Sequence, residues 1–366
     1  MMQRIRTGIC TRTRRAFTML EVLIAIAIST IIVAALYGLF TVQSRQFLYQ
    51  DMTMAMHQNL RFAADIIGRT GRMAGYGTGG ATYGVLGYNG AISNDSSLPA
   101  VISSDDWSGG LTHDAVTFVY ADPALEMMTA PLTIESATTT TITFPMGRKS
   151  YKTLIDNYEV GDLLLCWDYA NSSGTISYMW DIDAAGDSST GQVGVVSNSG
   201  TYSDFDGVMA SSENLPPVLH CSIGHVVTLY IDDTDDGVGP GSPDHPVLMM
   251  DLDFDFLDGT PDADDIPLVD DIENMQFRFC VDESDCTDDT SGWSDSVTVA
   301  EGQSVWMMRY YLTARSSKDD VRDIYTNTPL AWTNETVSST ADGYWRQYLT
   351  SSVTMRNLRL KHRLDD

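Results

Sequence analysis

Arg14-Arg15-Ala16-Phe17-Thr18-Met19-Leu20-Glu21 runs straight into Val22-Leu-Ile-Ala-Ile-Ala-Ile-Ser-Thr-Ile-Ile-Val-Ala-Ala-Leu-Tyr-Gly-Leu-Phe40. From Phe17 to Ser44 the only side chain that would be charged is Glu21. A lone carboxylate near the start of an apolar helix is costly in hydrocarbon unless a cation meets it, so it reads as functional. The obvious cation is the amine made by a cut before Phe17. Residues 1–16 carry Arg4, Arg6, Arg12, Arg14 and Arg15 and no acid. That bias places the N-terminus in the cytoplasm. A transmembrane segment over about 22–42 is long enough for a hydrocarbon core of about 30 Å at about 1.5 Å per residue.

Two other export signals compete. Ala34-Ala35 is a poor version of a small-x-small cleavage site after the apolar run. Thr13-Arg14-Arg15-Ala16-Phe17 imitates the start of a twin-arginine signal. This run is packed with Ile, Val and Leu, however, and Glu21 would be an odd passenger in such a signal. The stretch closely resembles the signature of type IV prepilins and of the pseudopilins of type II secretion. The resemblance implies removal of a 1–16 leader between Ala16 and Phe17 by a prepilin peptidase. It also implies N-methylation of Phe17 and a part for Glu21 in assembly. The chain departs from the pattern at Ala16, where these families usually have Gly.

The 366 residues carry 22 basic and 49 acidic side chains, a net charge of −27. Loss of the leader would take five of those basic residues and bring the net charge to −32. Nucleic acid is excluded as a partner, because phosphate binding needs a basic surface. Cys10 leaves with the leader, and Cys166, Cys221, Cys280 and Cys286 remain. An even number of cysteines outside the cytoplasm favours disulfides. Cys280 and Cys286 enclose a loop short enough for a hairpin to close, and Cys166 would then pair with Cys221. Zinc is the competing reading, but no Cys-x-x-Cys and no nearby His is present.

The helix is expected to continue past the membrane. No Pro occurs from Gln43 to Ala74, and Phe47, Leu48, Met52, Met54, Leu60, Ala63, Ile66 and Ile67 recur at roughly helical spacing. Gly75 and Gly77 supply the stop. The pattern thus predicts one helix over 17–75, apolar all round in its first half and amphipathic in its second. About 55 residues at about 1.5 Å each would span on the order of 80 Å. After Gly80 the pattern turns to short β-rich runs separated by Gly, Asp, Ser and Asn. Strands are expected near 115–120, 139–144, 163–167, 218–221, 226–231, 275–279, 305–313 and 352–357. Residues 168–212 and 232–265 read as long loop insertions. The fold class is α+β: a long N-terminal helix carrying a β-rich, pilin-like head over 76–366.

The head adds a second resemblance. Leu60-Arg-Phe-Ala-Ala-Asp-Ile-Ile-Gly-Arg-Thr-Gly-Arg-Met-Ala-Gly-Tyr76 is similar to the end of the long helix in PilW-type minor pilins. Residues 114–122 and 160–165 resemble that family's first strands, 268–277 a later strand entry, and 353–357 its C-terminal strand. The related pseudopilin J of type II secretion shares the plan, usually with a smaller head.

Little else in the sequence suggests chemistry. Gly75-Tyr-Gly77-Thr-Gly-Gly80 formally fits G-x-G-x-x-G, yet it follows a helix, whereas a dinucleotide loop follows a strand. No P-loop, G-x-S-x-G or H-E-x-x-H is present, so an enzyme is not expected. The acidic insertion at 232–295 holds 21 Asp or Glu and one Arg. Within it Asp251, Asp253, Asp255 and Asp258 alternate as carboxylates do in calcium loops, without meeting the EF-hand rule. A solvated acidic face and a Ca²⁺ site both fit; no other cofactor is implied.

The expected function is that of a PilW-like minor pilin, a non-enzymatic subunit that helps start or cap a type IV pilus. The resemblance implies other minor and major pilins and an inner-membrane assembly platform as partners. It also implies a single-pass inner-membrane location with a periplasmic head, before the subunit enters the pilus or its tip. The alternatives are a J-like pseudopilin, or a membrane-anchored or exported acidic calcium-binding protein.

Overall fold

The structure, a computed structural model, describes residues 17–77, 82–84, 101–104, 113–122, 132–134, 136–137, 141–147, 149–168, 176–196, 219–232, 245–252, 265–281, 286, 292–297, 305–317 and 344–358. By packing, the chain divides into a unit ending at Met54 and a larger one beginning at Ala55.

Helix α1 runs Met19–Met73, with Glu21 in its first turn and Arg72 in its last, each suited to the helix dipole at its end. Within the larger unit, Met56, Leu60, Ala63, Ile67 and Gly71 form its buried stripe, one helical face at i, i+4, i+7 spacing. Gly75 and Gly77 take positive φ (73° and 69°), so the chain leaves the helix where an L side chain would be strained.

The larger unit contains a second helix, α2 (Lys149–Ile155), and sixteen strands among the described residues. These are β1 (Thr82–Gly84), β2 (Val101–Ser104), β3 (Ala115–Ala121), β4 (Leu132–Thr133), β5 (Ser136–Ala137), β6 (Thr141–Thr143), β7 (Leu163–Asp168) and β8 (Ile176–Asp187). They continue as β9 (Gln192–Val196), β10 (Leu219–Asp232), β11 (Val247–Asp251), β12 (Ile266–Asp270), β13 (Ile272–Cys280), β14 (Trp293–Ser294), β15 (Met307–Arg315) and β16 (Arg346–Thr354).

β1 to β12 form one sheet, whose main path is β12-β11-β10-β7-β8-β9-β6-β5. β13 to β16 form a second, ordered β14-β13-β15-β16 and antiparallel throughout. Strand β10 organises the first sheet. Its residues 219–224 face β7, 224–229 face β3, and 228–232 face β11. The change of partner falls at Gly224, where any Cβ would collide with Leu165. Of two apolar cores, one packs α2 against β6 to β10 through Phe144, Ile155, Leu164 and Ile182. The other packs the buried stripe of α1 on Val227, Leu229, Phe277, Met308, Tyr310, Leu312 and Val353.

The β-rich head is as expected, but several details correct the sequence reading. Residues 168–212 are not one loop insertion, because β8 and β9 occupy 176–196. Likewise 232–265 contains β11. The strands expected at 218–221 and 226–231 are one continuous β10, since Gly224 does not break a strand whose partners change on either side of it. The last strand ends at Thr354, and 356–358 form a helical turn. Helix α2 was not anticipated; its seven residues are too few to show a period.

Candidate functional site

Thr18 stands at the head of α1 and Glu21 three residues inside it. The Thr18 backbone N–H donates to Glu21 Oε2 at 2.9 Å, and the Thr18 hydroxyl lies 3.1 Å from the same oxygen. The Glu21 N–H donates back to Thr18 Oγ1 at 3.3 Å. This is a capping box, in which cap hydroxyl and acid satisfy each other's exposed N–H groups. The pattern Thr-x-x-Glu before an apolar run is the sequence signal of this box. The box occupies one carboxylate oxygen; Oε1 takes no hydrogen bond among the described residues. A carboxylate so held keeps a free acceptor for a cation.

Phe17 is exposed, and Ala16, with the rest of the leader, lies outside the described residues. Past Glu21 the first half of α1 shows Ile24, Ile28, Ile31, Leu36 and Phe40 to its surroundings. Its hydroxyls do not break the apolar character: Thr30 and Thr41 donate to the carbonyls of Ala27 and Gly38, each at 2.8 Å. Met19–Met73 is long and apolar enough to cross a membrane.

In the larger unit, hydrogen bonds tie α1 to both sheets and to the turn at 356–358. Tyr310 donates its hydroxyl to the Ala64 carbonyl at 3.0 Å. Asn59 Nδ2 donates to the Asp270 carbonyl at 2.8 Å. Asn357 Nδ2 reaches the carbonyls of Arg72, Met73 and Ala74 at 3.0, 3.3 and 3.4 Å, satisfying the open C-terminal end of the helix. Close approach is possible because Gly71 has no side chain; a Cβ there would lie 3.1 Å from Val353 Cγ1.

The structure brings the cysteines together in two disulfides. Cys166 and Cys221 face each other across β7 and β10. Cys280, at the end of β13, is joined to Cys286. Of the four candidate calcium ligands, Asp251 is buried at the end of β11, while Asp253, Asp255 and Asp258 lie outside the described residues. No group of three His, Cys, Asp or Glu among the described residues is arranged to hold a metal. Beside Asp251, the Tyr230 hydroxyl donates to Asp265 Oδ2 at 2.5 Å. Desolvation first, then that bond and the carboxylates of Asp265, Asp232 and Asp251, hold the Tyr230 phenol well above its usual pKa.

Comparison with known proteins bears on both regions. Residues 11–37 match the prokaryotic N-terminal methylation motif. Residues 228–357 match the family described as Type IV Pilus-assembly protein W. These matches support placing the chain in the type IV minor pilin superfamily. The second pilin match runs from within β10 through β16 to Asn357, so it covers most of the strands and the cap that hold α1. Among solved structures, a type IV-like pilin from Thermus thermophilus is similar over 82% of this chain and 96% of its own, at 12% identity and a TM-score of 0.31. That likeness is too low to carry a conclusion. No curated protein matches this pilin-like chain.

Proposed function

We propose that the chain is a PilW-like minor pilin that helps initiate or cap a type IV pilus. The single observation behind this is the methylation motif at 11–37 joined in one chain to a PilW-type region at 228–357. In this reading the 1–16 leader is cut between Ala16 and Phe17, and the new Phe17 amine is methylated. The apolar half of α1 then waits in the inner membrane with residues 76–366 in the periplasm. Assembly moves that half of α1 from lipid into a bundle of other pilin helices, where the Phe17 amine meets Glu21. The capping box supports the step, because it fixes the carboxylate at the helix head before any partner arrives.

Mass spectrometry of the protein recovered from sheared fibres tests the reading. The expected chain starts at an N-methylated Phe17. A chain that starts near residue 36, retains Met1, or never leaves the membrane fraction in a piliated strain would overturn it.

A further inference from the structure

The second sheet ends at β16, which pairs only with β15 among the described residues. It is nine residues long, and from Gln347 to Thr354 it has no proline and no charge. Edge strands that are meant to stay unpaired carry such protections, because an open row of N–H and C=O groups templates another strand. The opposite case is visible in the same molecule: β12, at the end of the first sheet, is shorter and carries Pro267 and Asp270.

Beneath the β16 edge runs a cleft of about 320 Å³. One wall is the α1 stripe Arg61, Asp65, Gly68 and Arg72, and the other is residues 349–352 of β16, with Tyr310 between them. Gly68 makes the room. A Cβ there would sit 3.8 Å from both terminal nitrogens of Arg72, so the Arg72 guanidinium folds back over the glycine into the cleft. Arg61, Arg72 and Asp65 are exposed, and neither arginine is ion-paired among the described residues. Two guanidiniums against one carboxylate make a basic cleft on a chain of net charge −27.

The geometry points to an extended acidic segment of another protein as the occupant, which we propose adds to β16 as a fifth strand of the second sheet. Register fixes which residues it would place over the cleft. Ser351 pairs with Tyr310 and Val353 with Met308, so these share the sheet face on which α1 lies. Every second residue of an added strand would fall on that face, above Arg61 and Arg72. Main-chain hydrogen bonds to β16 supply affinity, and alternate carboxylates meeting the two guanidiniums supply selectivity. This inference stands apart from the assembly reading, since it concerns a sheet edge and not the N-terminal helix.

The test uses the full chain in detergent micelles and a fluorescent peptide, Asp-Val-Asp-Ser-Asp-Val-Asp-Ser, followed by anisotropy. The peptide should bind, the same peptide with Lys for each Asp should not, and N-methylation of alternate backbone amides should abolish binding. The double variant Arg61→Ala with Arg72→Ala should weaken binding about tenfold or more through two lost charge contacts. Both arginines are exposed, so its circular dichroism should match that of the unaltered chain. Equal binding of the acidic and basic peptides would overturn the proposal, as would retained affinity of the N-methylated form or of the double variant. A dimer of the chain alone that dissociates in the double variant would put a second copy in the cleft and overturn the choice of a foreign strand.

Discussion

Replacing Glu21 by Gln separates the capping contact of this side chain from the assembly role proposed for it. Gln at the third position of a helix still accepts from the cap residue, so the bonds from Thr18 survive. Only the charge is lost. In a bundle of apolar helices the Phe17 amine would then have no counter-charge. Breaking a desolvated pair in this way costs roughly 3–5 kcal/mol, and at about 1.4 kcal/mol per decade the lower figure weakens docking more than a hundredfold. Thr18→Ala makes the complementary change: it removes the cap, worth about 1 kcal/mol, and leaves the carboxylate charged. The loss in docking is then only about fivefold.

The assay is the amount of variant chain in sheared fibres of a strain that carries no other copy, normalised to the amount in membranes. The expected order is unaltered chain, then Thr18→Ala, then Glu21→Gln near background. Both variants should insert and be cut normally, since the leader and the apolar run are untouched. Normal fibre content with Gln at position 21 would refute the charge argument. If Thr18→Ala were as severe as Glu21→Gln, the cap and not the charge would be the essential element.

Other outcomes follow from the larger unit. Gly71→Leu should lower the melting temperature by a cost of about 1–3 kcal/mol of overpacking, because its Cβ already falls 3.1 Å from Val353 Cγ1. Gly71→Ala should be near neutral, since about 1 kcal/mol of helix propensity offsets the tight contact. Tyr158 is buried, and burial first, then the field of Asp162, raises its phenol far above 10.0. A group whose folded pKa is raised gives its stability below the unfolded pKa and loses it as pH climbs. Stability should therefore decline above pH 10, and Tyr158→Phe should flatten that decline by up to about 1.4 kcal/mol per pH unit in alkaline denaturant titrations. Ca²⁺ should raise the melting temperature of the full chain beyond what Mg²⁺ achieves at matched ionic strength. Equal shifts would mean that the 232–295 carboxylates are screened and bind no specific cation.

The N-terminal helix was legible because an all-round apolar run passes without a break into a helical period. Its apolar run has no polar face to interpret, and the stripe at Leu60, Ala63 and Ile67 repeats at helical spacing before Gly75 and Gly77 end it. Strand β3 was legible as a short β-branched and aromatic run bounded by polar residues, and β13 by the alternation of Met275, Phe277 and Phe279 with Gln276 and Arg278. β8 was not. Its sequence Ile-Ser-Tyr-Met-Trp-Asp-Ile-Asp-Ala-Ala-Gly-Asp contains the residues that mark turns, and two register shifts against β9 accommodate them. Tertiary pairing overrode local preference there. The lining of the cleft was also hidden, because Arg61 and Arg72 lie far in sequence from residues 349–352. Only the docking of α1 through Tyr310 and Asn357 brings them together.

One uninterrupted helix is thus built for two environments. From Ala55 onward its apolar stripe is already covered by Phe277, Met308 and Val353, so that stripe is withdrawn from water. Between Val22 and Phe40 the apolar side chains are uncovered on every face. Exposed apolar surface of that extent does not persist in water, so lipid or other apolar helices must take it up. Either environment satisfies the hydrophobic side chains about equally, since lipid tails are as apolar as leucine. Hydrophobicity alone therefore cannot drive the helix from one to the other. A charge can: Glu21 is penalised in lipid and relieved wherever a cation meets it. In the proposed assembly, the one charged group in the run would then be the group that makes leaving the membrane favourable.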